Sequence, residues 1–155
     1  MEIKLRTGEI CLIDKEDYAV INQHKWYIEG WGYARRNKKF VNGVPDSESL
    51  RMHRFLLKPP VGVSIDHING NKLDNRKSNL RLCTVAQNNF GRGIKKDNTS
   101  GCKGVHFNKP TGKWMARISA NGKRKYLGLF ETKELAYSSY KKASKELHGD
   151  FANLN

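Results

Sequence analysis

With 155 residues, 37% of them hydrophobic, the chain has material for one ordinary domain or two small ones, since a chain of this size buries roughly two-thirds of its unfolded surface. A formal charge of +14 and a pI near 9.8 point to a polyanionic partner, because each neutralised phosphate releases condensed counterions. Nothing approaches the roughly 20 apolar residues of a membrane span or an apolar leader, and three scattered cysteines (Cys11, Cys83, Cys102) make neither a disulfide framework nor a zinc knuckle; the expectation is a chain that is not exported and works in a reducing cytoplasm, bacterial or of a phage-infected host.

The charge is unevenly placed. Lys and Arg outnumber Asp and Glu 11 to 8 over residues 1–60, 7 to 3 over 61–98 and 11 to 4 over 99–155, so the C-terminal third has the composition of a DNA grip. Residues 1–60 read as short strands separated by turns: 2–6, 9–13, 33–36 and 39–41, with turns at Thr7-Gly8 and Asn42-Gly43. Asp14 to His24 reads as a short helix with Asp14 as its N-cap. The aromatics Trp26, Tyr27, Trp31 and Tyr33 read mainly as core packing, with base stacking as the alternative. Leu50 to Leu57 is a short amphipathic segment that Pro59-Pro60 must end.

Next comes the order Asp66-His67, eleven residues, Asn79, eight residues, Asn88. It supplies a carboxylate and an amide oxygen for a hard divalent cation, beside an imidazole able to deprotonate water, which is what metal-assisted phosphodiester hydrolysis needs. Residues 65–68 read as a strand end, 69–76 as a turn-rich loop, 80–84 as a returning strand and 85–90 as the start of a helix, so three elements can gather these residues. Asn75 is an alternative middle asparagine, although Asp74-Asn75 also reads as an ordinary turn. Lys95 to Gly101 has the composition of a linker.

The stretches Met52-His53-Arg54-Phe55-Leu56-Leu57, Asp66-His67-Ile68-Asn69-Gly70-Asn71, Ser78-Asn79-Leu80-Arg81-Leu82 and Gln87-Asn88-Asn89 resemble the HNH endonuclease family, in its phage and intron-encoded homing subgroup. The resemblance implies that His67 is the general base, that Asp66 and Asn88 bind the metal, and that Asn79 fixes the His67 ring and the loop. An asparagine at position 88, where some HNH proteins carry histidine, implies an oxygen-liganded ion, Mg²⁺ or Mn²⁺, rather than zinc. His53 recurs in that subgroup and stands between packing and an auxiliary role; Arg54 and Arg81 are candidate phosphate contacts.

Beyond residue 101 the pattern predicts strands at 104–107, 113–119 and 123–127 joined by turns at 110–112 and 121–122, then a helix capped by Thr132, with Ala136, Tyr140, Ala143 and Leu147 on its apolar face and Gly149 ending it. Gly104-Val105, Gly112-Lys113-Trp114, Tyr126-Leu127-Gly128 and Leu147-His148-Gly149 are among the residues through which this region resembles the ethylene-response-factor (Apetala-type) DNA-binding domain of plant transcription factors. That domain lays its sheet in the major groove with the helix behind it. Strand alternation sends Trp114, Ala116 and Ile118 towards the helix and Lys113, Met115, Arg117 and Ser119 outward. The expected DNA contacts are Lys103, His106, Lys113, Arg117, Ser119, Arg124 and Tyr126, and because several differ from the family's usual residues the plant target sequence does not transfer.

The expected fold is α+β: a β-rich region over 1–50, an HNH ββα-metal core over 51–92, a linker over 93–101 and a sheet-and-helix DNA-binding domain over 102–155. The expected activity is metal-dependent cleavage of double-stranded DNA by a monomer or weak homodimer. Two rivals are a DNA-binding regulator carrying an inactive HNH remnant and, ranked lower, an RNA-binding accessory protein.

Overall fold

Strand-forming runs of only two to four residues cannot build one large sheet, and the N-terminal half answers with several small ones. A computed structural model describes residues 1–37, 40, 41, 44, 45, 50–94, 97–120, 122–152 and 154. The chain divides into two compact units, Met1–Thr84 and Val85–Asn155. Both mix helix with small antiparallel sheets, an α+β fold.

In the first unit, β1 (Glu2–Lys4) and β2 (Ile10–Leu12) pair antiparallel with Ile3 opposite Cys11, through a turn at Gly8 whose φ of 102° suits glycine. The helix expected from residue 14 to 24 shrinks to a 3₁₀ turn (Lys15–Asp17) and a single α turn, α1 (Tyr18–Ile21). Asp14 does not cap it, because its Oδ2 instead accepts the Lys77 amide at 2.7 Å. Next come β3 (Tyr27–Ile28), β4 (Ala34–Arg36), the two-residue strands β5 (Phe40–Val41) and β6 (Val44–Pro45), β7 (Leu50–Arg51) and α2 (Met52–Leu57). Strands β3, β4 and β7 form a sheet in that order, and β5 pairs with β6; the turn expected at Asn42-Gly43 lies outside the described residues. Helix α2 stops at Lys58, in left-handed backbone (φ 44°) ahead of Pro59-Pro60.

Strands β8 (Ser64–His67) and β9 (Leu80–Cys83) form an antiparallel hairpin with Asp66 opposite Arg81 and His67 opposite Leu80. The core that supports it comprises Leu5, Cys11, Ile13, Ile21, Trp26, Ala34 and Met52, with Phe55, Leu56 and Leu73 against it. Trp26 belongs there and donates its indole N–H to the Ile21 carbonyl at 2.8 Å, but Trp31, also expected to pack, is 74% exposed.

The second unit contains α3 (Val85–Phe90), β10 (Val105–Asn108), β11 (Lys113–Ala120), β12 (Lys123–Phe130) and α4 (Lys133–His148), closed by a 3₁₀ turn. The three strands are antiparallel in chain order, and α4 packs on the sheet through Ala136, Tyr140 and Ala143 against Val105, Ala116 and Ile118. The Thr132 hydroxyl accepts the Leu135 amide, the expected N-cap. Leu147 is 40% exposed, not inward as expected; Ser144 and His148 are buried in its stead, with Ser144 Oγ 3.2 Å from His148 Nδ1 and His148 Nε2 2.9 Å from the Ser119 carbonyl.

The boundary falls before α3, because that short helix is held within the second unit. Phe90 stacks on His148 with centroids 3.9 Å apart and planes 10° from parallel, and Lys103 Nζ donates to the Phe90 and Arg92 carbonyls at 2.6 and 2.5 Å. Part of the stretch read from composition as a linker is built into an Asx turn: Asn98 Oδ1 accepts the amides of Ser100 and Gly101, and Ser100 Oγ donates to the Val105 carbonyl at 2.7 Å.

Candidate active site

Residues 69–76 lie in the connection between β8 and β9, and several of their polar side chains bond within the loop. Gly70, at φ 75°, returns its amide to the His67 carbonyl, Asn69 Oδ1 accepts the Asn71 amide, and Asn71 Oδ1 accepts the Leu73 amide. The loop is also sewn to β2: Leu12 donates to the Leu73 carbonyl and accepts from the Asn75 amide, both at 2.8 Å. That pairing explains why Asp74 and Asn75, which also read as an ordinary turn, are 1% and 0% exposed. Buried polar groups need partners. Arg76 grips the Asp74 carboxylate with Nε (2.8 Å) and Nη2 (2.7 Å) and Asn69 Nδ2 adds a bond at 2.9 Å, so the Arg76 guanidinium above all holds the Asp74 carboxyl below the usual carboxylate range.

Asn79 closes the loop. Its Oδ1 accepts the Asn69 amide at 3.0 Å, its Nδ2 donates to the Asp74 carbonyl at 2.8 Å, and its own carbonyl accepts the Ile68 amide. These bonds fix the backbone on both sides of the turn after His67, while the Asn75 side chain approaches the His67 ring. Asn75 Nδ2 donates to Cys11 Sγ at 3.1 Å, while its Oδ1 finds no partner of hydrogen-bonding geometry among the described residues, so its approach to the imidazole is a polar contact that favours the charged ring.

His67 is 7% exposed and its Nε2 has no hydrogen-bond partner among the described residues. Burial pushes its pKa below the ordinary value; Asn75, Asp66 and Asp74 pull the other way and the Lys72 charge adds to the fall. The ring is therefore neutral at physiological pH and able to accept a proton. His53 lies beside it, rings edge to face with centroids 5.2 Å apart, and burial foremost, then the charges of His67, Arg51 and Arg54, lowers its pKa to about 3.

Asp66 shares its Oδ2 with Arg81, which donates from Nε (2.9 Å) and Nη2 (2.7 Å). Arg54 donates to the Val63 carbonyl at 3.2 Å and so braces the approach to β8. Tyr33, read from sequence as packing, sits with its ring centroid 5.1 Å from that of His53 and 5.9 Å from that of His67. No local signal marks it, since the contact depends on how β4 and α2 are juxtaposed.

Asn88 lies on α3 in the second unit, where its side-chain amide makes no hydrogen bond with any described residue. Also in that unit, strand register places Arg117 opposite Tyr126, Ser119 opposite Arg124 and His106 opposite Met115, on the sheet face away from α4. Burial foremost, then the charges of Arg117 and Arg124 on the same face, lowers the His106 pKa. Two expected DNA contacts are engaged elsewhere: Lys103 with the Phe90 and Arg92 carbonyls, and Lys113 with Glu131 Oε1 at 2.5 Å.

Residues 58–90 match the family model described as HNH endonuclease. An uncharacterized HNH endonuclease, L560, of Acanthamoeba polyphaga mimivirus is 30% identical over 154 residues, covering 96% of this chain and 75% of that protein. The chain belongs to the HNH endonuclease family. Protein 3.8 of Escherichia phage T7 is 37% identical over 95 residues, 61% of this chain and 78% of its own length. No solved structure matches the chain. Membership implies a nuclease with DNA as substrate, in a family that generally uses a divalent metal. No helix among the described residues is long and apolar enough to cross a membrane.

Proposed function

We propose that this HNH protein is a metal-dependent, site-preferring DNA endonuclease of the homing type, from a phage or mobile element, with His67 as the general base. The observation that carries the reading is a buried His67 whose Nε2 has no hydrogen-bond partner among the described residues, next to Asp66 and followed by a loop that Asn79 locks on both sides. A neutral imidazole so held accepts the proton of an attacking water. Asn79 is the residue that keeps the turn, and with it the end of β8, in place.

By the family resemblance, Asp66 and Asn88 are the residues that would hold the metal. Their oxygens are a hard donor set suited to Mg²⁺ or Mn²⁺, and the Asn88 amide has no competing hydrogen bond among the described residues. The chemistry a divalent ion would supply there is an offset to the negative charge that develops at the phosphorus and on the leaving 3′ oxygen. The exposed face carrying His106, Arg117, Ser119, Arg124 and Tyr126 is the DNA-binding surface of an ethylene-response-factor-like module, which raises the local concentration of duplex at the cutting site. One site per chain makes a monomer a nicking enzyme; double-strand cuts require a second copy or a second encounter.

The test is relaxation of supercoiled plasmid with Mg²⁺, with Mn²⁺ and with chelator, beside gel-shift binding. His67→Ala should cut about 10²- to 10⁴-fold more slowly while binding persists. Wild-type rates in His67→Ala overturn the assignment. A second reading, a DNA-binding regulator with an inactive remnant, draws on the Arg81 guanidinium already bound to Asp66; tight binding with intact plasmid in both metals decides for it.

A further inference from the structure

Tyr33, His53 and His67 arrive from three different places, the residue just before β4, helix α2 and the end of β8, and meet as a closed set of rings. The centroid separations are 5.1 Å (Tyr33 to His53), 5.2 Å (His53 to His67) and 5.9 Å (Tyr33 to His67), with interplanar angles of 55°, 87° and 47°. An imidazole touched by two rings at different angles has few rotamers open to it.

Tyr33 is itself held by its faces. The Arg51 guanidinium carbon stands 4.5 Å and Lys72 Nζ 4.8 Å from its centroid, both within cation–π range. Each cation is anchored: Arg51 Nε pairs with Glu29 Oε1 at 2.5 Å, and Lys72 Nζ donates to the Trp31 carbonyl at 2.8 Å. Lys72 belongs to the same 69–76 loop that Asn79 locks, so the loop after His67 and the ring against His67 are tied together. The Tyr33 hydroxyl makes no hydrogen bond with any described residue, so the contact is made by the ring.

We propose that Tyr33 and His53 are positioning residues that set the orientation of the His67 imidazole, Tyr33 through its ring alone and with Lys72 as the clamp on its face. This rests on the reading of His67 as the base. Neither residue touches the reacting atoms. Their effect is on how often the His67 nitrogen is aligned with the water it deprotonates, which appears in kcat and not in DNA affinity, because misplacing a catalytic group by about 1 Å costs on the order of a hundredfold.

The experiment compares full-length wild type, Tyr33→Leu, Tyr33→Phe, His53→Leu and His67→Ala for single-turnover cutting of a plasmid the wild type cleaves, for duplex Kd, and for the His67 ring Cε1–H signal by NMR. Tyr33→Leu should lose about tenfold to a hundredfold in rate with Kd within about twofold, and its His67 signal should shift or split. Tyr33→Phe should keep most of the rate and the wild-type signal. His53→Leu should lose rate in the same direction, which keeps the test open if Tyr33→Leu folds poorly. Wild-type rate and an unmoved His67 signal in both leucine variants overturn the proposal, as does an equal loss in Tyr33→Leu and Tyr33→Phe, which would assign the effect to the hydroxyl. Undiminished cutting by His67→Ala removes instead the reading of the base.

Discussion

The first unit builds its largest sheet from strands of two or three residues and closes its core with loops, whereas the second covers strands of four and eight residues with one sixteen-residue helix. Their buried polar residues differ accordingly. Arg36, His53, His67, Asp74, Asn75 and Asn79 lie within the first unit; in the second, buried polar residues include Ser100, Ser144 and His148, of which His148 and Ser100 tie backbone segments together. Burying polar groups costs stability unless each finds a partner, so a unit that concentrates them around one hairpin gives up regularity for a site. The second unit packs its sheet on α4 through an apolar cluster and puts its charge on an open face.

That contrast is broken most sharply at Gly104. At φ 72° it sits where a Cβ would lie 2.3 Å from the Tyr140 ring and 2.5 Å from the Arg117 carbonyl, and neither the ring at the core's centre nor the strand backbone can give way. Gly104→Ala should destabilise the second unit by roughly 2–4 kcal/mol. Hydrogen exchange gives the readout: amides of β10 to β12 should lose protection while those of β2 and α2 keep theirs. An equal loss in both units would mean that the two cores are not separately maintained.

The charged face supplies the next test. Arg117→Ala with Arg124→Ala should weaken duplex binding by about tenfold to a hundredfold near 0.1 M salt and reduce the salt slope by about two. Lys113→Ala should do much less, since that ammonium is shared with Glu131. Binding unchanged in the double variant would move the DNA contact off this sheet.

The same contrast explains what could be read in advance. In the second unit, alternation and turn residues mark all three strands, and Thr132 and Gly149 bracket α4, because each rule acts over a few neighbouring residues. The exception, Leu147, fails where tertiary demand intervenes: His148 turns inward to bond the Ser119 carbonyl and stack on Phe90, and Leu147 is left outside. In the first unit the hairpin at 64–83 follows its strand and loop signals, but the burial of Asp74 and Asn75 depends on β2, some sixty residues away in sequence. The shortened α1 has the same origin, since Asp14 is claimed by Lys77. The ring of Tyr33 against His67 likewise has no counterpart in local sequence.

The smallest expected effect concerns the ion pair at the site. Arg81 donates twice to Asp66 Oδ2, and the pair is largely shielded, with side-chain exposures of 21% and 13%. A guanidinium in that position competes with any cation that Asp66 is to hold, and a charge-assisted pair is worth on the order of 1.5–3 kcal/mol before the cost of its desolvation is subtracted. If Asp66 is the metal ligand proposed above, Arg81→Gln should lower the Mn²⁺ concentration for half-maximal cutting by about threefold to tenfold, and direct titration of Mn²⁺ on the protein without DNA should move in the same direction. A rise in both would show that Arg81 orients the carboxylate for the ion instead of opposing it. No change in either would take Asp66 out of the metal site, leaving the hairpin with its base and without its proposed carboxylate ligand.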